Sequence, residues 1–360
     1  MNSTERYSRY ALCREMLQTP EIVRTLDDSC ITEIRLASDR VLLSGEGSSR
    51  IFPAKRLIAY AMTVGWPLRI HTEAAIQAME YPLPRYHVFV ASNSGRTAEG
   101  VRLIRHLRAG AQGTVGDAAG AAPASDTYQA RCSDPVSAIT GIVANDGTPI
   151  AEEADNRIVL QCGPEEAVAA TKSVIEQALV YDILFRNAFG AAPPDRSALA
   201  DYLETALTLQ LDVEMIDRIV ASPVLYFAGR NDGVAEELAL KTNEITRKRS
   251  AFLEGTFAVH GIEEVMQPEE TVILIDPFPS QEEKFDEVLR RGVGLNVVAI
   301  APRPTRFPTI QIPDAGVLTP YALLAAGWNV LADVGIAAGI DLDKPQRARK
   351  VGNEFQEGSD

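Results

Sequence analysis

Short runs of Val, Ile and Leu alternate along the chain with longer stretches in which apolar residues recur every three or four positions. Residues 41–44, 88–91, 139–144 and 158–161 read as buried strands. Residues 224–228, 272–275, 297–300 and 309–312 form a second set. Between them, 98–108, 165–186 and 234–249 carry helical periodicity. Strands that alternate with helices imply βαβ units, and therefore an α/β fold of parallel sheets with helices on both faces. Two sets predict two doubly wound sheets in tandem. The break falls near 188–196, a Gly/Ala/Pro-rich segment, and a helix over 197–221 leads into the second half. The expected organisation is a first domain at 1–190, with N-terminal helices and an inserted excursion at 112–137. A linker helix at 191–220, a second domain at 221–340 and a polar tail at 341–360 follow. The excursion is rich in Ala, Gly, Ser and Asp and has little periodicity, so it reads as a long surface loop.

Composition narrows the class. With 35 Lys+Arg against 49 Asp+Glu, the 360-residue chain has a formal net charge of −14. That balance argues against nucleic acid and against an anionic membrane surface. It leaves room for one locally positive pocket that takes a small anion. Cys13, Cys30, Cys132 and Cys162 lie far apart with no CxxC pair, so neither a disulfide framework nor a zinc site is expected. No cofactor is implied, and no cluster has metal-ligand spacing. The first fifteen residues lack the apolar core of a signal peptide. The longest apolar stretch, 321–340, contains Asn329 and Asp333 and reads as a buried helix rather than a membrane span. A soluble, reduced, cytoplasmic protein is the expectation.

Two loops after strands carry candidate chemistry. Ser92-Asn93-Ser94-Gly95-Arg96-Thr97 follows one strand and opens the helix near Ala98. Hydroxyls and free N–H groups at a helix N-terminus suit a phosphate-like anion. An ordinary N-cap at Thr97 is the alternative, but a cap needs one hydroxyl and this loop has three. Gly45-Glu46-Gly47-Ser48-Ser49-Arg50 begins like a dinucleotide fingerprint, but Arg50 stands at the third glycine. It also reads as a tight strand-to-helix turn. Loops at the carboxyl ends of strands converge at the switch point of a doubly wound sheet, so the two could clamp one anionic group.

In the second half, Glu237, Lys241 and Glu244 are spaced i, i+4, i+7 and share one helix face. A solvated salt-bridge face and a catalytic constellation both fit that spacing. His260, beside Gly261, is the best placed of the four histidines, His71, His87, His106 and His260. Carbonyl chemistry on a sugar uses such groups: a carboxylate to move a proton between carbons, and a histidine or lysine to protonate or polarise an oxygen. A lysine of lowered pKa could also form a Schiff base.

These residues resemble the sugar isomerase (SIS) domain family over roughly residues 20 to 355. The pattern is similar to the isomerase half of glucosamine-6-phosphate synthase and to stand-alone sugar-phosphate isomerases and deaminases. Ser92-Asn93-Ser94-Gly95-Arg96-Thr97 resembles the family's Ser-Gln-Ser-Gly-Glu-Thr phosphate loop, and Gly47-Ser48-Ser49 its Gly-Thr-Ser turn. Gly163-Pro164-Glu165 with Val168-Ala169-Ala170-Thr171-Lys172 resembles Gly-Pro-Glu…Val-Ala-Ser-Thr-Lys near the sugar. Glu237…Lys241…Glu244-Ile245 resembles the Glu-x-Ala-Leu-Lys-x-x-Glu-Ile helix, and His260-Gly261 the His-Gly-Pro turn. Asp341-Leu342-Asp343-Lys344-Pro345…Ala348-Arg349-Lys350 resembles the terminal Asp-x-Asp-x-Pro…Ala-Lys.

The resemblance implies two flavodoxin-like SIS domains and an aldose–ketose isomerase acting on a hexose with an anionic group at C6. Glu244 would be the acid/base between C1 and C2. His260 would assist ring opening from the neighbouring subunit of a homodimer with a shared active site. Lys350, in an active-site tail, would reach the open-chain carbonyl, and Lys241 would steady the oxygen. Ser48, Ser49, Ser92, Asn93, Ser94 and Thr97 would hold the anion, with Ala170 and Glu237 near the sugar. Several positions depart from the pattern. Arg96 stands for Glu, Arg50 follows the serine turn, Ala170 replaces a serine, and Ile262 replaces the proline after His-Gly. The two arginines admit a 6-sulfonate as well as a 6-phosphate. With no glutaminase module or N-terminal nucleophilic cysteine in view, amide-derived ammonia is not expected from this chain. An amino-sugar 6-phosphate deaminase, a sugar–amine deglycase and a non-catalytic sugar-phosphate sensor are the competing readings. Arg50, Arg96, Lys241 and Lys350 are expected to make the site positive inside an acidic protein.

Overall fold

The structure is a computed structural model that describes residues 1–2, 4–110, 135–349 and 353–356. Lys350, Cys132 and most of the 112–137 excursion lie outside the described residues. Among the described residues, ten strands form two five-stranded parallel sheets with helices on both sides. The first sheet comprises β1 (Arg40–Gly45), β2 (Arg69–Glu73), β3 (His87–Ser92), β4 (Ala138–Val143) and β5 (Asn156–Val159), in the order β2-β1-β3-β4-β5. The second comprises β6 (Val224–Gly229), β7 (Arg249–Glu254), β8 (Thr271–Ile275), β9 (Asn296–Ala301) and β10 (Thr309–Gln311), in the order β10-β9-β8-β6-β7. Read from its other edge, the second sheet repeats the order of the first, the flavodoxin-like arrangement.

The inner strands were legible because each is buried on both faces: β3 and β8 are buried at every position, and β1, β4, β6 and β9 at all but their first. The edge strands β2 and β7 escape the apolar pattern. Their sequences, Arg-Ile-His-Thr-Glu and Arg-Ser-Ala-Phe-Leu-Glu, mix charge with apolar residues because one side of an edge strand meets solvent.

The principal helices are α1 (Ala11–Thr25), α2 (Ile51–Val64), α3 (Ala98–Gly110), α4 (Lys172–Ala188), α5 (Arg196–Thr208), α6 (Val213–Ala221), α7 (Val234–Thr246) and α8 (Thr319–Ala337). The structure corrects three of the expected helices. The helix expected over 197–221 is two, α5 and α6, because Asp212 caps a new start by accepting from the Met215 N–H at 2.8 Å. The helix expected over 165–186 begins only at Lys172. The one expected over 234–249 ends at Arg247, whose φ of 55° is left-handed, and the chain turns into β7.

The chain divides into two compact units. One holds the first sheet: Asp27–Gly163, Glu176–Pro193 and Val351–Asp360. The other holds the second sheet with Met1–Leu26, Pro164–Ile175 and Pro194–Lys350. In the second-sheet unit, the segment Gly316–Ala337 has the length and apolarity to cross a membrane, but 89% of its most apolar window is buried inside the protein. Its polar residues are satisfied internally. Asn329 donates to the carbonyls of Ala206 and Leu209 and accepts from the Met1 amino group, and Asp333 accepts from Arg6 and Tyr7.

In the first-sheet unit, α2 is tied to α4 by a buried Arg56–Asp182 ion pair. His87 on β3 is fully buried and stacked on Phe89. Its Nδ1 accepts from the Ala37 N–H, so the proton sits on Nε2, which pairs with Thr140 Oγ1 at 2.8 Å. Burial lowers its pKa from 6.5 to about 4. The unfolded chain therefore binds a proton first as pH falls, and stability should drop between pH 6.5 and 4. The expected loss is roughly 3 kcal/mol. Denaturation midpoints across that range should show it in the wild type and not in His87→Gln.

Candidate active site

The hydroxyl-rich loops belong to the first-sheet unit. β1 pairs with β3, and Gly45 lies opposite Ala91, so the loops leaving both carboxyl ends are neighbours. That is the point where the strand order reverses, the position at which doubly wound sheets bind ligands. The approach is close: a Cβ on Gly45 would lie 2.8 Å from the Ala91 carbonyl oxygen and 3.1 Å from that of Ser49. After β1 the chain makes a 3-10 turn, Gly47–Ser49, and enters α2, so the strand-to-helix turn and the candidate clamp are the same structure. Ser48 is buried, and Ser49 and Arg50 are half-buried. The Ser49 carbonyl is fixed by the Gln177 amide. The Nε–H of Arg50 is enclosed and has no acceptor among the described residues.

The loop after β3 is organised by its own hydroxyls. Ser92 Oγ lies 2.7 Å from Thr97 Oγ1 and accepts from the Gly95 N–H at 3.1 Å. Ser94 Oγ accepts from the Arg96 N–H at 3.2 Å. Gly95 has φ +68°, and a Cβ there would meet Thr148 Oγ1 at 2.2 Å, so only glycine fits. Asn93 and Ser94 are half-buried, and Arg96 is exposed.

The second-sheet unit holds the helix constellation, and its burial excludes a solvated salt-bridge face. Glu237 is fully buried and Lys241 is 1% exposed, whereas Glu244 retains 25% exposure. The face is not solvated. Lys241 Nζ donates to Glu244 Oε2 at 2.7 Å and lies 3.5 Å from Glu237 Oε1. Burial opposes the lysine's charge, but Glu244, Glu237 and Glu165 outweigh it and hold its pKa above the ordinary value. Lys241 is therefore held as an ammonium at neutral pH. In the segment before α4, Glu165 accepts from the Thr171 N–H at 2.8 Å, the Ser173 N–H at 3.3 Å and the Ser173 hydroxyl at 2.7 Å. Ala170, half-buried, sits just before this turn. His260 is exposed at the end of a short 3-10 turn, Phe257–Val259.

No family model matches the chain. Over 312 residues, 79% of its length, it is 24% identical to glutamine–fructose-6-phosphate aminotransferase (isomerizing) from Mycolicibacterium paratuberculosis. That region is 46% of the relative, so the chain spans about half the length of the curated relatives it matches. Tagatose-6-phosphate ketose/aldose isomerase from Escherichia coli superposes with a TM-score of 0.73 at 17% identity, covering 96% of this chain and 98% of that one. The chain shares this enzyme's fold along nearly its whole length, two parallel sheets with helices on both sides. A second structure, glucosamine-6-phosphate deaminase from Thermotoga maritima, has a TM-score of 0.68 at 18% identity and covers 95% of this chain and 99% of that one.

The segments that resemble SIS motifs have physical roles in the structure. Asp343 accepts from the Ala11 and Leu12 N–H groups at 2.7 and 3.0 Å, capping α1. Arg247 holds the Asp341 and Lys344 carbonyls. The terminal motif thus anchors the start of the tail. Sequence reasoning missed the contribution of Glu165 to the charge around Lys241, although its spacing to Thr171 and Ser173 at the head of α4 is a detectable signal. It also missed residues 353–356, which pair with the loop after β3 and are taken up below.

Proposed function

We propose that this protein is an aldose–ketose isomerase for hexoses carrying an anionic group at C6. The observation that carries the reading is the buried Lys241 held between Glu237 and Glu244, of which Glu244 alone keeps an exposed face. A carboxylate that reaches substrate while a fixed ammonium touches its back is the arrangement proton transfer between C1 and C2 requires. Glu244 takes the proton from one carbon and returns it to the other. Lys241, already charged and already desolvated, stabilises negative charge that develops on the enediol oxygens. Glu237 keeps the ammonium charged in an apolar setting.

The C6 anion belongs on the hydroxyls of Ser48, Ser49, Ser92, Ser94 and Thr97, with Asn93, and the enclosed Arg50 Nε–H offers a further donor. Arg96, exposed on the same loop, adds long-range attraction. The exposed His260 is assigned to ring opening in the site of a second subunit, and Lys350 to the open-chain carbonyl. The related sugar-phosphate enzymes among the matches support the substrate class. The likeness to a glucosamine-6-phosphate deaminase supports a second reading, in which the same base isomerises an amino sugar with loss of ammonia.

A panel of glucose, fructose, tagatose and glucosamine 6-phosphates and a 6-sulfonated hexose separates these. Aldose–ketose interconversion without ammonia is the expected outcome. Ammonia release from glucosamine 6-phosphate would replace the isomerase reading by the deaminase one. Tight binding with no turnover on any sugar would replace both by a sensor.

A further inference from the structure

Residues Asn353–Gln356 pair, within the first-sheet unit, with the loop assigned to the C6 anion. Thr97 and Glu354 form an antiparallel bridge. The Phe355 N–H donates to the Arg96 carbonyl at 2.8 Å, and the Ala98 N–H donates to the Asn353 carbonyl at 3.0 Å. Asn353 Nδ2 donates to Glu99 Oε1 at 2.8 Å. Phe355 packs on the apolar cluster under α3 and carries the Arg105 guanidinium 4.5 Å from its ring centre. Arg105 is in turn held by Glu153.

The two backbone bonds fall on either side of Thr97, whose hydroxyl is bound to Ser92. They fix the peptide units that flank it, which are the units that aim its hydroxyl and the first N–H groups of α3. One of those N–H groups, that of Ala98, is already spent on the tail and is not a donor to a ligand. The bonds are of ordinary length, and the only apolar anchor among the four residues is Phe355.

We infer that Asn353–Gln356 is a positioning element of the anion loop: with Phe355 seated, the 96–98 backbone is held in its anion-binding conformation. The inference rests on the anion-loop reading above. It assigns the four residues no contact with substrate; they act through Thr97 and its neighbours. Loss of the Phe355 anchor should therefore weaken anion binding without unfolding the domain.

The test uses the full chain and inorganic phosphate, with Phe355→Ala, Asn353→Ala and the conservative Phe355→Leu. Titration calorimetry gives the phosphate Kd, and amide hydrogen exchange follows Ala98. The expected result for Phe355→Ala is a Kd raised about five- to tenfold, the equivalent of one well-placed hydrogen bond, with an unprotected Ala98 amide and a nearly unchanged Tm. Asn353→Ala should move the same way by less, and Phe355→Leu should restore most of the affinity. An unchanged Kd in Phe355→Ala with the Ala98 amide exposed would overturn the positioning role and leave the anion loop standing. No phosphate binding by the wild type would overturn the anion-loop reading itself, and this inference with it.

Discussion

Glu244→Gln is expected to lower turnover about a thousandfold, the usual contribution of a positioned general base. The amide keeps the shape of the side chain and can still accept from Lys241 Nζ, now 2.7 Å from the Glu244 carboxylate. It cannot take a proton from carbon. Substrate binding should change little, because the C6 anion is assigned to the serine loops and the lysine charge remains. A loss confined to kcat is the signature of an interaction made in the transition state. The fold should tolerate the change, since Glu237 and Glu165 still face the ammonium. Single-turnover kinetics alongside a thermal melt separates the two effects. Near-full turnover would remove Glu244 from the base position.

Lys241→Met should have the largest effect on stability. Methionine fills the same volume but leaves the fully buried Glu237 beside an apolar chain. Breaking a buried ion pair by removing one partner typically costs about 3–5 kcal/mol, because the remaining charge stays desolvated. The double variant Lys241→Met/Glu237→Gln should recover at least half of that loss, since the buried negative charge is gone. Neither variant should turn over substrate. The pH dependence has a definite sign. A lysine whose folded pKa lies above its ordinary 10.5 contributes its full stability below that value and loses it only as pH rises through the folded pKa. The gap between wild type and Lys241→Met should therefore be constant from pH 7 to 9. Chemical denaturation at several pH values checks both statements.

The sheets were readable because their inner strands are buried on both faces and show as unbroken apolar runs. β2 and β7 were not, because solvent on one side lets Arg, His and Glu into the strand. Helix ends depended on single local events that periodicity does not register, such as the Asp212 cap and the left-handed Arg247.

The site divides in the same way. The serine loops announce themselves by hydroxyl density after a strand. The Glu237–Lys241–Glu244 spacing placed three charges on one helix face but could not say whether that face meets water or the core. Only the packing of α7 settles it, and the packing is tertiary. Residues 353–356 carry no periodicity at all. Their role is visible only in which backbone groups they pair with.

The central claim is that Glu244 exchanges a carbon-bound proton on an open-chain sugar. The most direct measurement is proton NMR of a hexose 6-phosphate or 6-sulfonate turned over in heavy water, following the signal at C2. The expected result is loss of the C2 proton signal with the wild type, through exchange of the enediol proton with solvent, and its persistence with Glu244→Gln. Equal loss of the signal with both proteins, or isomerisation in which the original C2 hydrogen is carried intact to C1 with no deuterium taken up from solvent, would contradict the account.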